Sequence, residues 1–215
     1  METMNSAPKD LQSDLLYGSA RLRQQISFIV EIDKLKHVLR QTLLIDKSRR
    51  ENDAEHSWHL AIMAVILAEY AAPGIDVLRV LKMLLIHDIV EIDAGDTFLY
   101  DTAGKIDQAE RESRAAARLF GLLPEDQRME LRALWDEFEE RRTSDAMFAA
   151  ALDRLQPLVH NYYIEGSTWQ RMGITADQVA ACNSIISDGS TILWQAVQRL
   201  IDDGIRRGYL KERSR

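Results

Sequence analysis

Two apolar helical patterns, residues 54–71 and 75–88, are separated by little more than Pro73-Gly74. Such a short connection forces neighbouring helices to pack antiparallel. Nearly every face of the first pattern is apolar, and the second carries Val77, Leu78, Val80, Leu81, Met83, Leu84, Leu85 and Ile86. Both are therefore expected to lie in the core, with Trp58 packed inside it. Asp53 is read as the N-cap of the first helix.

Counted back from the turn, His56 stands sixteen residues before Ala72 and His87 thirteen after Gly74. At a rise of about 1.5 Å per residue the two differ by only ~4.5 Å along the axis. Both imidazoles reach the end of the pair that also holds Asp88, Glu91, Asp93 and Asp96. Buried charge without a partner is costly, and a divalent cation is the simplest compensation. Mixed imidazole and carboxylate donors suit manganese, iron, cobalt or zinc better than calcium. A plainer reading stays open on geometry alone: a charged His87 complementing a helix C-terminus, with Asp88 in a salt bridge.

The remaining chain is also helical in pattern. RLRQQISFIVEIDKLKHVL after Ser19 reads as one amphipathic helix, with Ile26, Ile29, Val30, Leu35, Val38 and Leu39 on its apolar side. Asp46 to Asn52 breaks that pattern, and EIDAGDTFLYDTAGK at 91–105 reads as an ordered loop rich in Gly, Asp and Thr. Further helices are expected near 107–120, 125–141, 145–165, 175–187 and 190–207, punctuated by Gly121, Pro124, Thr143-Ser144, Thr175 and Asp188-Gly189. No β-hairpin signal stands out, so the fold class is all-α, a helical bundle around an antiparallel central pair. At 215 residues one domain is expected over 19–210, preceded by a polar, flexible segment at 1–18.

A net charge of -7 argues against tight binding to long nucleic acid, while a small phosphorylated ligand needs only a local cluster of cations. The single Cys182 excludes an internal disulfide and structural zinc on thiolates; it reads as a small buried residue. The N-terminus carries acids and no apolar stretch, and the longest apolar run, Leu60 to Ala68, is too short for a bilayer; a cytoplasmic protein is the expectation. Lys47, Arg49 and Arg50 read as a solvated loop. His37, His59 and His160 read as ordinary core or surface histidines, with His59 near enough to His56 to support it.

ENDAEHSW at 51–58, LKMLLIHDIVEIDAGD at 81–96 and the Asp153 of FAAALDRLQPLV together resemble the signature of HD-domain phosphohydrolases. More narrowly they are similar to the 5'-deoxynucleotidase branch, and the likeness runs from about Arg40 to Pro157, including LLPEDQRMELRALWDEFEE. The resemblance implies one divalent metal ion held by His56, His87, Asp88 and Asp153, with cobalt, manganese, zinc, iron and magnesium as the choices. It implies that Glu91 moves a proton in catalysis, that Asp96 serves both chemistry and the substrate sugar, and that Arg40 contacts the substrate phosphate. Where many relatives carry a tryptophan that helps select deoxyribose, this chain offers Leu43.

The implied reaction is metal-dependent hydrolysis of nucleoside 5'-monophosphates to nucleoside and phosphate. Two alternatives stay beside it: a nucleotide-sensing or scaffold protein that turns over little, and a hydrolase of another phosphorylated nucleotide. A homodimer is implied as well, and Ile185, Ile186, Ile192, Leu193 and Trp194 near the C-terminus are the residues expected to form it or to complete the monomer core.

Overall fold

The computed structural model describes residues 17–212, so most of the expected flexible segment lies outside the described residues. Eleven α-helices and one two-stranded sheet are found among these residues. In chain order they are α1 (Ala20–Ile32), β1 (Leu39–Leu43), β2 (Arg50–Asn52), α2 (Asp53–Leu67), α3 (Val77–Ile86), α4 (Glu91–Ala94) and α5 (Gln108–Phe120). They continue with α6 (Glu125–Glu140), α7 (Ser144–Tyr163), α8 (Ser167–Met172), α9 (Ala176–Asn183), α10 (Ile186–Gly189) and α11 (Thr191–Arg206). The all-α reading holds.

The longest helix, α7, is the axis of the molecule. Phe148, Ala149, Ala151 and Leu152 are fully buried on it, and α2, α3, α6, α10 and α11 all pack against it. Its run of alanines lets a neighbouring backbone come close: a Cβ added at Gly189 of α10 would stand 2.4 Å from Met147 O and 2.7 Å from Ala151 Cβ. Burying Phe148 alone is worth about 2–3 kcal/mol, so the helix is fixed by packing more than by its own propensity.

The antiparallel pair α2–α3 forms as expected, and α3 is capped by the Asp76 side chain, which accepts from Arg79 N. Two details of the pair differ from expectation. Asn52 rather than Asp53 caps α2: its side chain accepts from Glu55 N, and Glu55 reaches back to Asn52 N, closing a capping box. Asp53 thereby becomes the first helical residue and is fully buried. The pair is also not buried on every face, because Trp58 (64% exposed), Ile62, Val65 and Ile66 of α2 and Leu78 and Leu85 of α3 face outward. Uniform hydrophobicity hides which stripe meets the core, and the polar residues that would have marked the outer face are missing.

The expected long first helix stops at Ile32, passes through a 3₁₀ turn over Asp33–His37, and gives way to β1. Leu35 is buried, while Ile29, Val30 and Leu39 are exposed. β1 and β2 pair antiparallel, Leu39 with Asn52 and Leu43 with Arg50, across an irregular register. LRQTL and REN are too short and too polar to announce a hairpin. Arg50 ties the hairpin by donating to Leu39 O and Arg40 O, Arg49 pairs with Glu55, and Lys47 with Glu165, so this basic run is partnered rather than freely solvated.

The expected 175–187 helix splits into α9 and α10, and the short α4 and α8 went unread. Near the C-terminus Ile186 and Leu193 complete the core, Ile185 and Trp194 are partly buried against it, and Ile192 is exposed. Cys182 is only half-buried. No helix among the described residues is long and apolar enough to cross a membrane.

Candidate metal centre

The capping box at Asn52 sets the start of α2, which puts His56 in its first turn with no solvent exposure. At the neighbouring end of α3 the helix tightens into a 3₁₀ turn over His87–Val90, all four residues buried. Asp153 comes from the middle of α7. These elements bring His56, His87, Asp88 and Asp153 together. His56 Nε2 lies 3.0 Å from Asp153 Oδ1 and 3.9 Å from Asp88 Oδ2; His87 Nε2 lies 3.0 Å from Asp88 Oδ1 and 3.6 Å from Asp153 Oδ1.

Both rings are oriented from behind. His87 Nδ1 donates to Leu84 O at 2.9 Å. His56 Nδ1 donates to Gln156 Oε1 at 3.1 Å, an assignment forced because the Gln156 amide nitrogen faces Glu51 Oε1 at 2.7 Å. With each Nδ1 acting as donor, both Nε2 atoms present their lone pairs to the two carboxylates, the arrangement of metal-ligating histidines. His87 Nε2 is buried without a hydrogen-bond partner, and ligand atoms of His56, His87 and Asp88 lie within 4.8 Å of one another. Two imidazoles and two carboxylates around an orphaned buried nitrogen fit a transition-metal cation.

Without the cation the cluster must balance itself with protons. Burial and Arg40 press the His56 pKa down, yet the neighbouring carboxylates of Asp153 and Glu51 raise it to about 9. His87 is also raised, the nearby Asp88 and Asp153 outweighing its burial. Burial pushes the Asp153 carboxyl up, but the two imidazoles hold it well below the usual range.

A second carboxylate group adjoins the first. Ligand atoms of Asp53, Glu91 and Asp96 also lie within 4.8 Å of one another. Burial, then the charges of Asp88 and Asp53, raise Glu91 well above an ordinary glutamate, while burial and Asp88 raise Asp53 to about 6. Asp53 and Glu91 stand close enough for each carboxyl to raise the other against ionisation, so the pair keeps a proton, and Glu91 is the stronger holder. Burial raises Asp96 against the pull of Arg40. Glu91 does not continue α3: it opens α4 after the 3₁₀ turn, and Gly95 ends that helix at φ 76°.

Arg40 of β1 binds Asp88 Oδ2 at 2.8 Å and Asp53 Oδ1 at 3.1 Å, and its Nε is buried without a partner. A cavity of about 690 Å³, counting its open mouth, is bordered by Arg40, Glu91, Asp96, Asp153, Lys105 and Arg154. Trp58 plays no part in it.

Two functional residues escaped sequence reasoning. Asp53 was absorbed by the capping pattern. Gln156 carried a legible signal, since it follows Asp153 by three residues and shares its helix face. His160 Nε2 and His59 Nδ1 stand 3.2 and 3.4 Å from Gln156 Nε2, so these histidines belong to a buried polar network with Gln156 and Glu51.

Residues 32–194, well over half of the chain, match the HD domain family. A crystal structure described as a predicted metal-dependent phosphohydrolase from Magnetospirillum magnetotacticum superposes with a TM-score of 0.87 at 59% identity, covering 90% of this chain and 97% of that one. The 5'-deoxynucleotidase HDDC2 of Homo sapiens is 29% identical over 148 residues, 68% of this chain and 71% of the human protein. Its counterpart in Danio rerio is 26% identical over 140 residues, 64% of this chain and 68% of the fish protein. With its sequence matched over that span and its helices framing a buried His/Asp cluster, the chain belongs to the HD domain family.

Proposed function

We propose that this protein is a metal-dependent phosphomonoesterase, with His56, His87, Asp88 and Asp153 holding one divalent cation, cobalt, manganese, zinc, iron or magnesium. The observation that carries this reading is the convergence of both Nε2 lone pairs on two carboxylates beside a cavity. The favoured substrates are nucleoside 5'-monophosphates, deoxynucleotides first; support comes from relatives named as 5'-deoxynucleotidases.

When bound, the cation supplies positive charge for the phosphoryl oxygens and acidifies water towards a pKa of about 7. The side chains do the rest. Glu91, kept protonated by burial and by Asp53, donates its proton to the leaving 5'-oxygen and regains one from the water that ends on phosphate. Asp96, at the rim of the cavity, positions the sugar. Arg40 offers its unpartnered Nε to a phosphate oxygen while its Nη1 holds Asp88. A cytoplasmic location is part of this reading as the sequence suggested it. A homodimer draws added support from the exposed apolar side chains of α2 and α3.

The test is phosphate release by metal-stripped protein re-supplied with each cation in turn, across deoxy- and ribonucleoside monophosphates, with Asp88→Ala as control. Activity that needs the metal and vanishes in the variant supports the reading. Stoichiometric metal binding with no turnover of any monophosphate overturns it.

A further inference from the structure

A second cavity, about 540 Å³ with its open mouth, shares Arg40, Asp96, Thr97, Leu99, Asp153 and Arg154 with the first, so the two adjoin. The near end is polar and carries the metal centre. The far end has a different character: Phe98, Tyr100 and Trp169 border it with Pro157, Leu158 and the amides of Asn161 and Asn183. The Phe98 and Tyr100 rings meet edge-on with centroids 5.2 Å apart. Apolar and aromatic walls with a few placed polar groups are the features of a small-molecule site.

Asn161 indicates what such a molecule must offer. It is 6% exposed, and its Nδ2 donates to Pro157 O at 2.8 Å. That carbonyl can only accept, so the amide nitrogen must face it and the orientation of the side chain is settled. Oδ1 is then a buried acceptor without a partner. A buried acceptor left empty is costly, and a ligand N–H repairs it. Arg154 borders both cavities, and its Nε is also buried without a partner.

We propose that the far cavity is a nucleobase subsite, in which a planar base lies among Phe98, Tyr100 and Trp169 and donates an N–H to Asn161 Oδ1, while Arg154 meets the phosphate. This rests on the phosphomonoesterase reading above and adds to it that the base is recognised. Asn183 Nδ2 donates to Val179 O at 2.7 Å and approaches Tyr100 Oη at 3.5 Å, which leaves the Tyr100 hydroxyl hydrogen for a base acceptor. Burial raises the Tyr100 pKa to about 12, keeping that hydrogen in place at neutral pH.

The test compares kcat/KM for the four deoxynucleoside 5'-monophosphates with that for 2-deoxyribose 5-phosphate, which carries the same phosphate and sugar but no base. In parallel, calorimetry measures binding of phosphate-free deoxynucleosides to the metal-free protein. Wild type is expected to favour the nucleotides by roughly tenfold or more, and Asn161→Leu to lose about tenfold of that ratio and of nucleoside affinity, as for one lost hydrogen bond in a closed site. Equal kcat/KM with and without a base overturns the subsite while leaving the phosphomonoesterase reading intact. If no monophosphate is turned over, that reading fails, and nucleoside binding then decides the subsite: saturable binding weakened by Asn161→Leu supports it, and absence of binding overturns it. The comparison within wild type stands even if the variant fails to fold.

Discussion

Replacing Gln156 with leucine removes one side chain that performs two tasks at once. Its Oε1 accepts from His56 Nδ1 at 3.1 Å and its Nε2 donates to Glu51 Oε1 at 2.7 Å, in a site where Gln156 is 1% exposed. Leucine fits the volume but makes neither bond. Glu51 Oε2 already lacks a partner, so the variant leaves that carboxylate wholly unsatisfied as well as orphaning an imidazole N–H. A hydrogen bond to a buried charge is worth about 1.5–3 kcal/mol, and both bonds engage one, Glu51 and the His56 imidazolium of the metal-free protein, which puts the loss at roughly 3–6 kcal/mol. For a chain of this size that lowers Tm by on the order of 10 °C. His56 also loses the group that fixes its tautomer, and cation affinity should fall 10- to 100-fold, the usual cost of removing such support. Denaturant unfolding of the metal-free protein and competitive titration with a chromophoric zinc chelator measure the two effects. Gln156→Glu separates them: it restores an acceptor for His56 Nδ1, and much of the affinity, but sets a second carboxylate against Glu51 and keeps the stability loss. If Gln156→Leu binds the cation within threefold of wild type, His56 is not oriented by this network and the reasoning fails.

Metal uptake should be coupled to proton release. In the metal-free protein His56 titrates near 9 rather than near 6.5, so its contribution to stability is complete below about pH 6.5 and is lost as pH rises through 9. A cation arriving at pH 7.5 must displace that proton, and calorimetry in buffers of different ionisation enthalpy should show at least about one proton released per ion; none released would contradict the assigned ligand. Glu91→Gln keeps the shape but removes the transferable proton, and kcat is expected to fall about 100- to 10,000-fold with little change in cation affinity, as measured by steady-state kinetics beside titration. Gly189→Ala has no unfavourable φ to answer for, yet its methyl group would meet Met147 O at 2.4 Å; a loss of about 1–3 kcal/mol in chemical denaturation is expected, and unchanged stability would mean that α10 and α7 are less tightly packed than described.

The parts of this molecule that were legible from its sequence are those governed by local rules. The Pro73-Gly74 break required an antiparallel pair, and the helical rise alone put His56 and His87 at the same end. Gly121, Pro124 and Thr143 marked helix boundaries that stand within a residue or two of the observed ones. Long-range choices were not legible in this way. Whether Trp58 points inward depends on which stripe of α2 meets α7, and a helix apolar on every side does not declare it. Arg40 was singled out, but the hairpin that carries it exists because Arg50 reaches back to the β1 carbonyls, a pairing no alternation of apolar residues signals. Asp53 fits the usual cap pattern so well that its second possibility, a buried carboxyl shared with Glu91, was invisible until α4 was seen beside it.

The four converging side chains also differ in how far the chain must fold before they meet. His56, His87 and Asp88 belong to a hairpin of helices that closes over some thirty residues, whereas Asp153 arrives only when α7 docks across that hairpin, after a further stretch of about twice that length. Closing the longer loop is the slower event, because its entropy is lost before any contact repays it. If these four side chains hold the proposed cation, the hairpin alone would offer three of its ligands, open to water, and the fourth would arrive only with the completed core. Retention of the ion would then report that the core is finished, distinguishing the folded molecule from a compact but half-assembled one.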